Sequence, residues 1–308
     1  MEQRPYIEDF SVARLHDAFD VFVADEEARP YVAPDLSVVL RGRPSLLFGS
    51  ILQLGVPYRI ENMRLGMLRR GSADISLNLQ DYHLEAGTAL FAADGCVLQI
   101  NRFSEDAELE GMAVGEELVA ALPTGKRPEL LRSLRTGYYF PVPPEDRALV
   151  DAQFALLHLL ATRGAAFREA AAGIVASMLA LYGNLHARYA ASHRPAERRQ
   201  SREREVCDRF VQLVAEHCAR QRELPFYADA LCLTPRYLGT IVRAVSGRTA
   251  KEWIDRAVLT EAKLQLRHTS LSIAQVSDSL GFPNPSFFSK YFKRLTQMTP
   301  AEFRAGKA

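Results

Sequence analysis

The feature that most constrains this chain is a two-helix unit that occurs twice, about fifty residues apart. The first copy is Phe226 to Gly247, FYADALCLTPRYLGTIVRAVSG. Ala228 and Leu231 share one face of a short helix, and Leu233 adds an apolar contact at its end. Thr234-Pro235 then starts a second helix: a hydroxyl N-cap, followed by proline at a position where its missing N–H is harmless. Leu238, Ile241 and Val242 form the buried face of that helix, Val245 extends it, and Gly247 stops it. The second copy is Ile273 to Leu295, IAQVSDSLGFPNPSFFSKYFKRL. Ile273, Val276, Ser277 and Leu280 line its first helix, Gly281 allows the turn, and Phe282 fills the corner. Asn284-Pro285 repeats the N-cap and proline, and Phe288, Tyr291 and Phe292 face inward. Leu238 aligns with Phe288 and Val242 with Phe292, which makes the pair an internal repeat.

Between the copies, Thr249 to His268 places Trp253, Ala257, Val258, Ala262 and Leu266 at helical spacing, with no Gly or Pro. A helix of about 18 residues is about 27 Å long. That is close to the roughly 34 Å between successive major-groove faces of B-DNA. Such a rod suits two helices held in adjacent grooves. The outward positions are Arg236, Gly239, Thr240 and Arg243 in the first copy, and Ser286, Ser289, Lys290, Lys293 and Arg294 in the second. Arg and Lys can bond guanine in the major groove, and Ser and Thr read less selectively. The peripheral cations Arg243, Lys293 and Arg294 are expected on phosphates.

Charge supports a polyanionic partner. From Pro195 onward the chain holds 19 Lys and Arg against 12 Asp and Glu, whereas the preceding residues are net acidic.

Four stretches carry a family likeness: Leu271-Ser272-Ile273, Leu280-Gly281-Phe282-Pro283-Asn284, Ser286 to Lys293 (SFFSKYFK), and Thr299-Pro300-Ala301-Glu302-Phe303-Arg304. With them, the region from about Glu205 to Arg304 resembles the AraC/XylS family of bacterial regulators. The resemblance implies two helix-turn-helix units joined by a long helix, bound to double-stranded DNA, in a transcription activator that recruits RNA polymerase. It implies base reading by Arg236, Gly239 and Thr240, and by Ser286, Ser289 and Lys290. Three residues depart from the family pattern. Gln297 stands where the family has a glycine after the second recognition helix, Ser277 replaces an alanine, and Gly239 offers no side chain to a base.

The front of the chain reads differently. Apolar runs at Leu36 to Leu40, Leu46 to Phe48, Arg64 to Leu68, Ile75 to Leu79, Thr88 to Ala92 and Cys96 to Ile100 are separated by turn signals. They predict an antiparallel sandwich or barrel, similar in pattern to the cupin-like sensory barrels of the same family. Helices are expected over about Glu145 to Ala161 and Ala165 to Tyr189. In the second, Phe167, Ala171, Ile174, Met178, Leu181 and Leu185 follow a heptad seam. The seam fits either packing within its own domain or a homodimer contact through Phe167, Ile174, Met178, Leu181 and Leu185. Residues 191–201 read as a linker. The expected class is α+β: a cupin-like antiparallel β-barrel sensory domain (1–143), dimerisation helices (144–190), the linker, and an all-α domain (202–308).

Enzymatic readings find little support. His83 is the one histidine in the strand region, and there is no H-x-H, phosphate loop or nucleophile elbow. Neither a metal nor another cofactor is expected. By resemblance the front domain binds a small-molecule effector; the alternatives are control by a protein partner and a cupin enzyme fused to a DNA-binding tail. MEQRPYIEDF has no apolar core of a secretory signal, and the apolar run Ala170 to Gly183 is shorter than a membrane span. A cytoplasmic protein with reduced Cys96, Cys207, Cys218 and Cys232 is expected.

Overall fold

The computed structural model describes residues 31–33, 35–43, 53–120, 137–193 and 198–306. The chain divides into two units, Met1–His193 and Arg194–Ala308.

The first unit is built on two antiparallel sheets. Six strands are ordered β1 (Tyr31–Ala33), β2 (Leu36–Gly42), β9 (Glu108–Val114), β4 (Met63–Arg70), β7 (Thr88–Ala92), β10 (Tyr138–Pro141). Four are ordered β3 (Pro57–Arg59), β8 (Val97–Phe103), β5 (Ser72–Leu77), β6 (Gln80–Glu85). Period-two burial explains the strands: along β4, Met63, Leu65 and Met67 point into the core and alternate with half-buried neighbours. Both sheets contribute to one core, where Leu65, Phe91 and Met112 meet Leu77 and Leu98. Among the described residues the strands form this pair of sheets and not one closed barrel. The predicted strand at Leu46 to Phe48 lies outside the described residues.

A short helix α1 (Glu116–Ala120) follows β9. Helices α2 (Pro144–Thr162) and α3 (Arg168–Ser192) then share the core of the six-stranded sheet. Val150, Phe154 and Leu157 of α2 and Val175, Met178, Leu179 and Tyr182 of α3 have no exposed surface. The Tyr182 hydroxyl donates 3.2 Å to the Gly66 carbonyl of β4. By length and composition α3 could cross a membrane, but here it is the core helix of a sheet-bound layer.

The heptad seam needs correction. The buried stripe of α3 is Ala171, Ala172, Val175, Met178, Leu179, Tyr182 and Leu185. It is the wide stripe of a helix lying on a sheet, not the narrow one of a coiled coil. Met178 and Leu185 are therefore taken by the unit's own core and offer no surface to a second copy. Ile174 and Leu181 flank the stripe half-buried, and Phe167 is exposed in a 3-10 turn.

The second unit is all helical: α4 (Arg198–His217), α5 (Leu224–Ala230), α6 (Pro235–Ser246), α7 (Ala250–His268), α8 (Ile273–Ser279), α9 (Pro285–Thr296) and α10 (Pro300–Arg304). The linker is shorter than 191–201, since α3 runs to Ser192 and α4 begins at Arg198; residues 194–197 lie outside the described set. Phe210 and Val214 of α4, Leu238 and Val242 of α6, and Val258 of α7 are fully buried, as are Phe288 and Phe292 of α9. Each such side chain contributes on the order of 1.5–3 kcal/mol of burial.

Candidate nucleic-acid interface

Each recognition helix is positioned by local chemistry legible in its own residues. Thr234 Oγ1 accepts from the Tyr237 amide at 3.3 Å and caps α6, with Pro235 in the first turn. Asn284 Oδ1 accepts from the Ser286 and Phe287 amides, both at 3.1 Å, and caps α9. The turn before each helix repeats as well. The Leu233 amide reaches the Ala228 carbonyl at 2.9 Å, and the Phe282 amide reaches the Ser277 carbonyl at 2.9 Å. The left-handed residue of the turn is Cys232 in the first copy and Gly281 in the second, at φ 56° and 66°. The copies are offset by 49 residues before the turn and by 50 after it, so Pro283 is the inserted residue.

The repeat continues past the recognition helices. Gly247 and Gln297 end α6 and α9 in the left-handed region, at φ 71° and 63°. The glycine-like conformation that Gln297 has to accept is thus adopted, and its Nε2 donates 3.2 Å to the Arg294 carbonyl. Ser246 and Thr296 then receive the amides of Arg248 and Met298. Thr249 with Glu252, and Thr299 with Glu302, form matched capping boxes that start α7 and α10. Each copy is therefore helix, turn, recognition helix, left-handed residue, capping box and helix.

The connecting helix α7 holds both copies. Trp253 Nε1 donates 2.9 Å to Ser246 Oγ at the end of α6. Tyr291 of α9 donates to Asp255, and burial with the neighbouring carboxylate keeps its phenol well above the ordinary range. Arg304 of α10 donates to the carbonyls of Leu266 and Leu271 at 3.2 and 2.6 Å. Arg222 lies 3.7 Å over the Phe282 ring and donates to the Leu280 carbonyl, which seals the second turn.

These constraints leave Arg236, Thr240 and Arg243 exposed on α6, and Ser286, Lys290, Lys293 and Arg294 exposed on α9; Gly239 and Ser289 are half-buried. Thr240 Oγ1 donates back to the Arg236 carbonyl at 3.0 Å. Arg294 has an acid nearby, Asp255 at 3.9 Å. Around α6 the surface is concave, about 700 Å³, and is lined by Pro235, Arg236, Gly239, Thr240, Arg243 and Lys251 among others. Sequence reasoning missed Lys251, because it belongs to the next helix. It also missed Tyr237 and Phe287, aromatics that are 47% and 60% exposed at the same place in the two recognition helices. Their matched position in the repeat was the available signal.

Elsewhere, His83 Nδ1 sits 2.6 Å from Asp74 on the strand surface. Among the described residues no group of three or more His, Cys, Asp or Glu is placed to hold a metal.

A family profile described as a helix-turn-helix domain matches residues 227–306. The arabinose operon regulatory protein of Salmonella typhimurium is 34% identical over 107 residues. The C-terminal unit belongs to the AraC family of helix-turn-helix domains. The transcriptional activator RhaR of Salmonella arizonae is 31% identical over 121 residues. These matches cover 34% and 38% of this chain, and the chain spans only 37% and 40% of those relatives' lengths. The solved structure of ToxT from Vibrio cholerae overlaps 80% of this chain and 90% of its own, with TM-score 0.39 and 14% identity. Within the AraC-type domain, the matched segment holds both recognition helices, α7 and the second capping box.

Proposed function

We propose that the chain is a sequence-specific DNA-binding transcription regulator whose AraC-type domain reads two adjacent major grooves. The observation that carries the reading is the duplicated, N-capped twelve-residue helix, each copy presenting exposed side chains that can reach bases and phosphates. Arg236 and Thr240, with Gly239 between them, contact bases from α6; Ser286, Ser289 and Lys290 do so from α9. Arg243, Lys293 and Arg294, joined by Lys251, meet phosphates. Tyr237 and Phe287 are suited to apolar contact with the sugar edge or a thymine methyl. Activation would proceed by recruiting RNA polymerase in the cytoplasm, in keeping with the relative RhaR being a transcriptional activator. No enzymatic step is part of this reading.

The N-terminal unit takes a small-molecule effector and forms the homodimer. The dimer surface is reassigned to α2, where Leu149, Leu156 and Leu159 are 54%, 42% and 51% exposed, with Ala148, Ala152 and Ala155 exposed beside them. A second copy packed antiparallel about a two-fold axis sets Leu149 opposite Leu159, Ala152 opposite Leu156, and Glu145 opposite Arg163. Apolar residues then meet along the seam and opposite charges meet at its ends.

Selection of full-length protein on a pool of randomised duplexes tests the reading. A recovered consensus is expected. Arg236→Ala and Lys290→Ala should each weaken binding to it by about 1–3 kcal/mol, with smaller losses on random DNA. Equal losses on both, or no consensus, overturn base reading by these side chains.

A further inference from the structure

A cleft of about 500 Å³ lies at the joint between the six-stranded sheet and the first turns of α2. Arg41 from β2, Arg69 and Arg70 from the end of β4, and Arg147 from α2 line it, with the carboxylates Glu108 and Asp151. Four guanidinium groups from three elements therefore face Glu108 and Asp151 in the lining, with Glu110 beside Arg69 as a third carboxylate. Arg69 is already committed: its Nη1 is 3.3 Å from Glu110 and forms an ion pair with Asp151. Arg147 donates from Nε to the Val142 carbonyl at 3.4 Å, a contact that answers none of its charge. Its guanidinium lies against Gly87, where a Cβ would come within 2.3 Å of it. Among the described residues, no carboxylate is paired with Arg41, Arg70 or Arg147.

Converging like charges repel one another, which disfavours such a cluster unless an anion completes it. Guanidinium forks match the planar oxygens of carboxylates and phosphates in a way that single cations do not. Met67 and Leu68 are the apolar residues of the lining, too few to hold an apolar ligand.

We infer that this cleft binds a small multivalent oxyanion, a polycarboxylate or a phosphate ester, and that this is the effector of the N-terminal unit. The inference rests on the effector reading above and gives that effector a chemistry. The cleft is also connected to the proposed dimer helix. Asp151 belongs to α2, two residues beyond Leu149. An oxyanion bonded to Arg69 competes with Asp151 and Glu110, so occupancy alters the hold of the sheet on α2.

Calorimetric titration of the full-length protein with citrate, with glycerol 3-phosphate and with uncharged glycerol tests this. One site per chain is expected for at least one of the two anions, and none for glycerol; the responding anion distinguishes the carboxylate from the phosphate source. Arg70→Gln and Arg147→Gln should each weaken that anion about tenfold or more, the loss expected for a charged hydrogen bond. Each variant should keep the cooperative thermal unfolding of the N-terminal unit in the absence of anion, which shows that the unit carrying the substitution is folded. No heat with either anion overturns the inference. So does an affinity unchanged by both variants, or one lost instead in Arg243→Gln, which would put the anion on the DNA-reading face. If the anion binds while no duplex is preferred, the cleft stands and the regulatory reading falls.

Discussion

The Tyr291 hydroxyl lies 3.0 Å from Asp255 Oδ1 and 3.1 Å from the Asp255 carbonyl oxygen. It thereby fixes the second recognition helix to the rod that carries the first. Lys251 Nζ, 3.0 Å from the same carboxylate, holds Asp255 from the other side. Tyr291→Phe removes both phenol contacts with almost no change in volume. The C-terminal unit should lose about 1–2 kcal/mol in denaturant unfolding, and affinity for the selected duplex should fall with it. An unchanged unfolding midpoint would show that the contact does not tension the domain.

Gln297 and Cys232 occupy left-handed backbone at φ 63° and 56°, where the other copy has Gly247 and Gly281. A side chain there costs roughly 1–2 kcal/mol relative to glycine. Gln297→Gly should raise stability by about 1 kcal/mol, the lost bond from Nε2 to the Arg294 carbonyl offsetting part of the gain. Cys232→Gly should act in the same direction. Thermal unfolding of the two variants and their combination measures this, and a fall in Tm for both would contradict the strain account.

Ser277 is 1% exposed, and its Oγ has no hydrogen-bond partner. A buried hydroxyl without a partner is unfavourable by about 1–3 kcal/mol. Ser277→Ala should therefore stabilise the second helix-turn-helix by about 1 kcal/mol without changing DNA preference. Denaturant melts alongside binding curves would reveal any loss.

Gly239 sits mid-helix, where glycine is about 1 kcal/mol worse than alanine. An added Cβ would meet only Leu224 Cδ2, at an ordinary 3.7 Å. Gly239→Ala should thus stabilise the domain by about that amount. If the α6 backbone approaches the duplex closely here, the same variant should bind the selected duplex more weakly. Binding that improves along with stability would remove Gly239 from the interface.

Burial pushes the Glu110 carboxyl up to about 7, against the pull of Arg69. The folded chain then keeps a proton that the unfolded chain releases near 4.5, the ordinary value. Through this group, stability falls as pH rises from about 4.5 to about 7 and levels off above. The slope is at most about 1.4 kcal/mol per pH unit. Glu110→Gln should remove that component, which unfolding measured at several pH values would show. An identical pH slope in the variant would exclude Glu110 as its source.

Much of the C-terminal unit was legible because its ends are written in side chains. Thr234, Asn284, Thr249 and Thr299 announce helix starts, and the aromatics at Phe288 and Phe292 announce the core. The N-terminal unit was harder to read. β6 is QDYHLE, with one buried residue, so no apolar run marks it. In α3 a period of seven and a period of 3.6 share Ala171, Met178 and Leu185, and only contact with the sheet selects Val175, Leu179 and Tyr182 as their partners. The leucines on the far side of α2 carry no local signal of exposure, since a core helix would show the same residues. The arginine cleft joins residues from 41 to 151, and no spacing rule connects them.

Pro283 and the unequal side chains at matched positions have a consequence for the genome. Arg236, Gly239 and Thr240 in one copy answer to Ser286, Ser289 and Lys290 in the other, so under the proposed base reading one C-terminal unit would not recognise a palindrome. Its target would then have a left and a right. Inverting such a target would reverse the direction in which the chain lies along the duplex, and orientation would become information that the bound protein can transmit.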